Sequence, residues 1–265
     1  VLCAIALAGA AVHIETVPVL NPGNLADSRM MDDGTTGYGA VNYEYRIGKY
    51  EVTAGQYTAF LNAVGSVDTY ALYNEDMLYS AGITRSGLGT VYSPYRYSVS
   101  PDWVNRPINR VSWGDAARFA NWLHNGQPTG AQDATTTEDG AYALLGAITN
   151  EELMAVNRKA DARWAIPSED EWYKAAYHKN NGVTGDYWTY ATRSDFFPGR
   201  DLTDLDGNNA NYEGTPFPID GPYYMTRVGQ FRNSKSPYGT FDQNGNVCEW
   251  NEAVIHGWEG LERGY

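Results

Sequence analysis

From residue 180 to residue 240 the chain shows no helical periodicity, and Asn, Gly, Tyr, Pro and Asp dominate. Such a stretch cannot lie unstructured inside a compact domain, because each buried N–H and C=O along it needs a partner. Two sources of order fit the composition. One is ring packing. Aromatics make up 14% of the 265 residues, with 21 Tyr and 8 Trp, and these two types bury a ring while keeping a polar atom bonded. The other is bound metal. The formal net charge is −13, and carboxylate and carbonyl oxygens are what Ca²⁺ takes. The same charge repels phosphate backbones, which argues against nucleic acid and anionic membranes as partners. The length suits one large domain with a sizeable core.

Val1 to Val12 is apolar and rich in small residues, and reads as the hydrophobic region and cleavage zone of a secretory signal peptide. Residues 1–14 are therefore expected to be a signal-peptide remnant, and 15–265 one exported domain. The run is too short to span a membrane. Cys3 and Cys248 are too few for a disulfide framework or a four-cysteine zinc site.

Between the aperiodic stretches stand helix starts. Residues 15–42 are turn-like, and Tyr43 to Val52 alternates as a strand. Thr53 with Gln56 forms a capping box, followed by Tyr57, Phe60, Leu61 and Val64 on one helical face. Residues 65–105 have no clear period and read as ordered loop. Ser112 with Asp115 caps a second helix whose inner face is Ala116, Phe119, Ala120 and Leu123, ended by Asn125-Gly126. Thr149 to Glu152 starts a short helix. Ser168 with Glu171 caps a helix running to about Lys179.

Four blocks occur in a fixed order. They are Gly48-Lys-Tyr-Glu-Val-Thr53 with Phe60-Leu61-Asn62; Arg106-Pro-Ile-Asn-Arg-Val-Ser-Trp113 with Asp115-Ala116 and Asn121-Trp122-Leu123; Ile166-Pro-Ser-Glu-Asp-Glu-Trp172 with Lys174-Ala-Ala176; and Tyr238-Gly-Thr-Phe-Asp-Gln-Asn-Gly-Asn-Val-Cys-Glu-Trp250. Together they resemble the formylglycine-generating enzyme, or sulfatase-modifying factor, family. The resemblance implies an α+β, C-type-lectin-like fold with little regular secondary structure and small antiparallel sheets, in agreement with the three capped helices read from the sequence itself.

It also implies two calcium sites. In the first, Asn211 would give its side-chain oxygen and Tyr212 its carbonyl, with Asp220 and the Pro222 carbonyl completing it. In the second, Asp242 and Glu249 would give carboxylates, and Gly245 and Val247 carbonyls. Alternate residues of a curled loop can aim oxygens inward, and two carboxylates offset a divalent charge. Without a metal the same residues would make an Asn-Gly turn with solvated acids.

Family enzymes use copper and O₂ to oxidise a cysteine of a protein or peptide substrate, such as a sulfatase, to formylglycine. Their copper is held by two closely spaced cysteines beyond an Arg-Gly-Gly-Ser segment, of which Arg263-Gly264 resembles the beginning. This sequence has no such pair, so the domain is expected to be truncated at its C-terminus and inactive as it stands. Cys248 stands where the family has Trp, and is expected to be a half-buried packing residue, because one thiol cannot supply the two soft sulfurs Cu(I) favours. The alternative to an oxidase is a non-catalytic, calcium-stabilised, lectin-like binding module. His13, His124, His178 and His256 are scattered, without metal-ligand spacing. That sets the chain apart from related sulfoxide synthases, which need three histidines.

Overall fold

The computed structural model describes residues 11–32, 34–214, 219, 221–257 and 260–264. The elements in chain order are β1 (Thr16–Val19), β2 (Tyr45–Gly48), α1 (Ala54–Val64), α2 (Met77–Ser80), β3 (Ile83–Ser86), β4 (Arg96–Val99), α3 (Trp113–His124), α4 (Asn150–Met154), α5 (Glu169–Tyr177), β5 (Val254–Gly257) and β6 (Gly260–Arg263). The strands form antiparallel pairs, β1 with β2, β3 with β4 and β5 with β6. The fold is mixed α+β, with short helices and small sheets. None of the helices is long and apolar enough to cross a membrane among the described residues.

Four helices begin with a capping box, one more than the three expected, the fourth being the short helix that starts at Thr149. Thr53, Ser112, Thr149 and Ser168 each accept from the backbone N–H three residues on, and Gln56, Asp115, Glu152 and Glu171 reach back to the cap N–H. These reciprocal bonds satisfy N–H groups that have no partner inside the helix. α5 ends at Tyr177, two residues short of the expected Lys179, where His178 turns to extended backbone (φ −61°, ψ 131°). Residues 65–105, expected as loop, hold α2 and the β3–β4 hairpin. The latter is signalled only by a short polar alternation, with Thr84 opposite Ser98. β1 likewise arises inside the turn-like stretch 15–42 by pairing with β2.

Two apolar clusters meet on α3. On one side Phe119 and Trp122 pack on Tyr57 and Phe60 of α1, with the Phe60 and Phe119 rings edge to face at 5.3 Å. On the other, Trp113, Ala117 and Ala120 pack on Tyr142, Leu153 and Ile166. The helix is therefore buried beyond the single face expected, and Ala116 is only half-buried. Residues 12–14 join the packed body. Val12 exchanges two 2.7 Å hydrogen bonds with the Gln127 side chain, and Val12 and Ile14 lie on the α1 cluster.

Loop backbone is satisfied by buried amide side chains. Asn121, wholly buried, donates to the carbonyls of Thr137 and Tyr142 (2.7 and 2.9 Å) and accepts from the Tyr142 N–H (2.8 Å). It acts as a splint for a segment that has no ladder. Replacing Asn121 by Ala strands these buried groups, and chemical denaturation should show a loss of about 2 kcal/mol or more.

Candidate functional site

The block expected to hold the second calcium site folds as a curled loop. Asp242 and Asn246 both adopt left-handed backbone, at φ 67° and 66°. The turn brings the Asn246 side chain to the junction of three segments. Its Oδ1 accepts from the Thr226 N–H (2.8 Å) and from Asn211 Nδ2 (3.1 Å). Its Nδ2 donates to Glu51 Oε2 (3.0 Å), and its backbone N–H donates to the Asn211 carbonyl (2.6 Å). The two predicted loops, one starting at Asn211 and the other at Asp242, thus touch directly.

Contact at Gly245 is tight. A Cβ placed there would lie 2.1 Å from the Asn211 carbonyl oxygen, and φ is +144°. Only glycine lets the two backbones approach this closely. Asn211 closes its own loop by accepting from the Ile219 N–H (3.2 Å) and donating to the Tyr224 carbonyl (3.0 Å). Pro222 follows a cis peptide and lines the same cleft as Asn211 and Tyr212. Asp220 lies outside the described residues. Tyr212 points its hydroxyl to the Pro198 carbonyl (2.9 Å), with Phe197 edge-on at 5.1 Å.

In the second loop, Asp242 Oδ2 accepts from the Gly229 N–H (2.6 Å) and Glu249 Oε2 from the Trp172 indole (2.5 Å). Both partners are neutral. Burial pushes Asp242 up to about 6. Burial also raises Glu249 to about 7, against the pull of the Trp172 indole, with Asp242 adding repulsion. A third carboxyl group, missed in the sequence reading, feels the charge of both. Glu51 follows β2, is 9% exposed, and is pushed well above the carboxylate range by burial and by the charges of Asp242 and Glu249. The only hint in the sequence was an acid inside the apolar-leaning Tyr43–Val52 alternation.

Gly245 and Val247 lie in the same loop as the two carboxylates, and the Gly245 carbonyl accepts from the Val247 N–H (2.9 Å). Among the described residues no three His, Cys, Asp or Glu side chains converge as a metal site. An ion here would need the two backbone carbonyls as well as the two carboxylates. That is the oxygen-rich, part-backbone coordination Ca²⁺ accepts.

The loop forms one wall of a cleft of about 1810 Å³. Trp172, Trp250, Tyr223 and Tyr224 also line it. Trp250 is locked by an indole bond to the Val111 carbonyl (2.8 Å), and Trp113 answers with one to the Asn251 carbonyl (3.0 Å). Cys248 is exposed rather than half-buried, a free thiol on the cleft wall. Packing therefore does not explain the residue at this position. Deeper in the cleft Arg158 binds both Glu171 oxygens (3.0 and 2.7 Å) and Glu252 (2.9 Å), tying the α5 cap to the segment after Trp250.

Comparison with known proteins follows from this geometry. A family model described as a sulfatase-modifying factor enzyme 1-like domain matches residues 14–263. No curated protein matches. Among solved structures, the crystal structure of CarF is similar at a TM-score of 0.56 and 19% identity, covering 94% of this chain and 84% of that one. Treponema denticola variable protein 1 is similar at 0.52 and 16%, covering 91% and 73%. At these identities the two show a shared fold.

Two outcomes are expected. Carboxyls with raised values bind protons more tightly folded than unfolded, so their contribution to stability falls as pH rises. In the presence of a chelator, Tm should drop between about pH 5 and pH 8, and an Asp242→Asn, Glu249→Gln double variant should flatten that slope. Separately, Gly245→Ala should cost about 2 kcal/mol or more in a denaturant titration, because both the contact and φ oppose a side chain.

Proposed function

The chain belongs to the family of sulfatase-modifying factor enzyme 1-like domains, and from that premise we propose that it is an exported, calcium-ordered domain that binds a polypeptide ligand in the cleft beside the Asp242–Glu249 loop. The observation that carries this reading is that Asp242 and Glu249, in one loop, each have a neutral hydrogen-bond partner and that Asp242 repels the Glu249 charge. Two such charges favour a divalent cation, and hard oxygen ligands favour Ca²⁺ over softer ions. Asp242, Glu249 and the carbonyls of Gly245 and Val247 would hold one ion. Asn211, Tyr212, Asp220 and Pro222 would hold another in the adjoining loop. The ions would be structural, ordering loops that lack the apolar residues to order themselves. A lectin-like display of loops over small sheets is consistent with this use, and an acidic surface suits an exported protein in a calcium-rich medium.

The family's oxidase chemistry is the second reading. Copper there draws on two neighbouring thiolates, whereas Cys3 and Cys248 are 245 positions apart in this sequence. Conversion of a sulfatase-like cysteine to formylglycine would therefore need ligands beyond Cys248. Incubated with copper, O₂ and a cysteine-containing peptide, the 265-residue chain should yield no formylglycine by mass spectrometry.

Calcium is checked by melting. EDTA should lower Tm and added Ca²⁺ restore it. At a hundredfold excess over Kd the gain is about 2.7 kcal/mol, or several degrees for a domain of this size. Asp242→Ala with Glu249→Ala should abolish most of the response, and an unchanged response sinks the second site. Ion binding should also release protons, more per ion near pH 6 than near pH 8.

A further inference from the structure

Among the described residues, two buried acceptor oxygens have no hydrogen-bond partner, Glu51 Oε1 and Asn109 Oδ1. They belong together. Thr53 pairs with Pro107 across an antiparallel bridge, flanked by the bonds Ala54 N–H to Arg106 carbonyl (2.9 Å) and Ile108 N–H to Val52 carbonyl (2.8 Å). Two residues further along each strand come Glu51 and Asn109, on the same face by the alternation of side chains. Both line the large cleft. Each is held by its other atom. Asn246 Nδ2 fixes Glu51 Oε2, and Asn109 donates its Nδ2 to Met225 Sδ at 3.4 Å. Each free oxygen thus belongs to a side chain whose other polar atom is already bonded.

An unmatched buried acceptor is costly, and a carboxylate more so. Among the described residues no Lys or Arg forms an ion pair with Glu51, while Asp242 and Glu249 add charge of the same sign. Arg106, the nearby cation, is committed. It stacks on Tyr223 with its guanidinium carbon 3.9 Å from the ring centre, and donates to the Asp102 and Met225 carbonyls. Neighbouring rings add to the setting, with Trp103 edge-on to Tyr223 at 5.2 Å.

We infer that Glu51 and Asn109 form a subsite in the cleft for a protonated amine or guanidinium group of a ligand. Such a group brings several N–H donors for the two oxygens, and its charge strengthens each bond it makes. The inference rests on the cleft being the ligand-binding face, but not on calcium.

The test uses the full chain in saturating Ca²⁺, with ethylguanidinium and ethylammonium as probes and ethanol as the neutral control, followed by amide chemical shifts. One or both cations should shift resonances around Glu51 and Asn109 saturably, and ethanol should not. Glu51→Gln should weaken cation binding about tenfold or more, and Asn109→Ala by a smaller factor. Glu51→Gln should at the same time raise Tm of the probe-free protein, because the new amide can donate to Asn109 Oδ1. Absence of saturable binding, equal binding to the Gln variant, or equal response to ethanol overturns the subsite. So does a lower Tm or failure to fold in Glu51→Gln, since that means Glu51 is already satisfied within the protein. Insensitivity to EDTA would instead count against calcium alone.

Discussion

The side chain of Asn246 joins the strand-end at Glu51, the loop at Asn211 and the turn at Thr226, and the cleft wall depends on that junction. It stands for a general constraint on this chain. Backbone polar groups buried in irregular segments cannot find a ladder, so they must be met by side chains of the right reach. Asparagine carries a donor and an acceptor at the end of a short stem, and can bridge two segments at once. Asn121 does this beneath α3, and Asn24 does it between the Gly39 carbonyl and the Val41 N–H. Asn209 does it between the Asp201 N–H and the buried Asp204 carboxylate, and Asn233 donates its side-chain amide to the Asp204 carbonyl. Rings finish what amides begin, with Tyr187 and Tyr57 sending hydroxyls to buried carbonyls.

Helix starts were legible because a capping box is a local device, complete within four residues. The buried face of α1 followed from a single 3.6-residue stripe. What could not be read was pairing at a distance. The β3–β4 hairpin has little alternation of apolar and polar residues, and β1 gains strand character only from β2, some thirty residues on. α3 exceeded its expected face because a second cluster, built from residues 141–166, covers its other side.

The curled loop was legible in part for the same reason, because Asp242, Gly245, Val247 and Glu249 fall within one short segment whose turn residues, Asp242 and Asn246, are local to it. Glu51 and Trp172 reach the site from other parts of the chain, and nothing in a linear pattern ties them to Glu249. The exposure of Cys248 also depends on the cleft it borders, which is built by segments from β2 to the C-terminal hairpin.

The contact of Gly245 on the Asn211 carbonyl has a thermodynamic corollary. Two loops pressed together without space for a methyl group cannot adjust independently. Whatever fixes one of them alters the free energy of the other, and linkage makes that influence equal in both directions. An occupant of the loop at Asn211 and an occupant of the loop at Asp242 would therefore report on each other. The pair would act as a single cooperative element rather than as two separate braces.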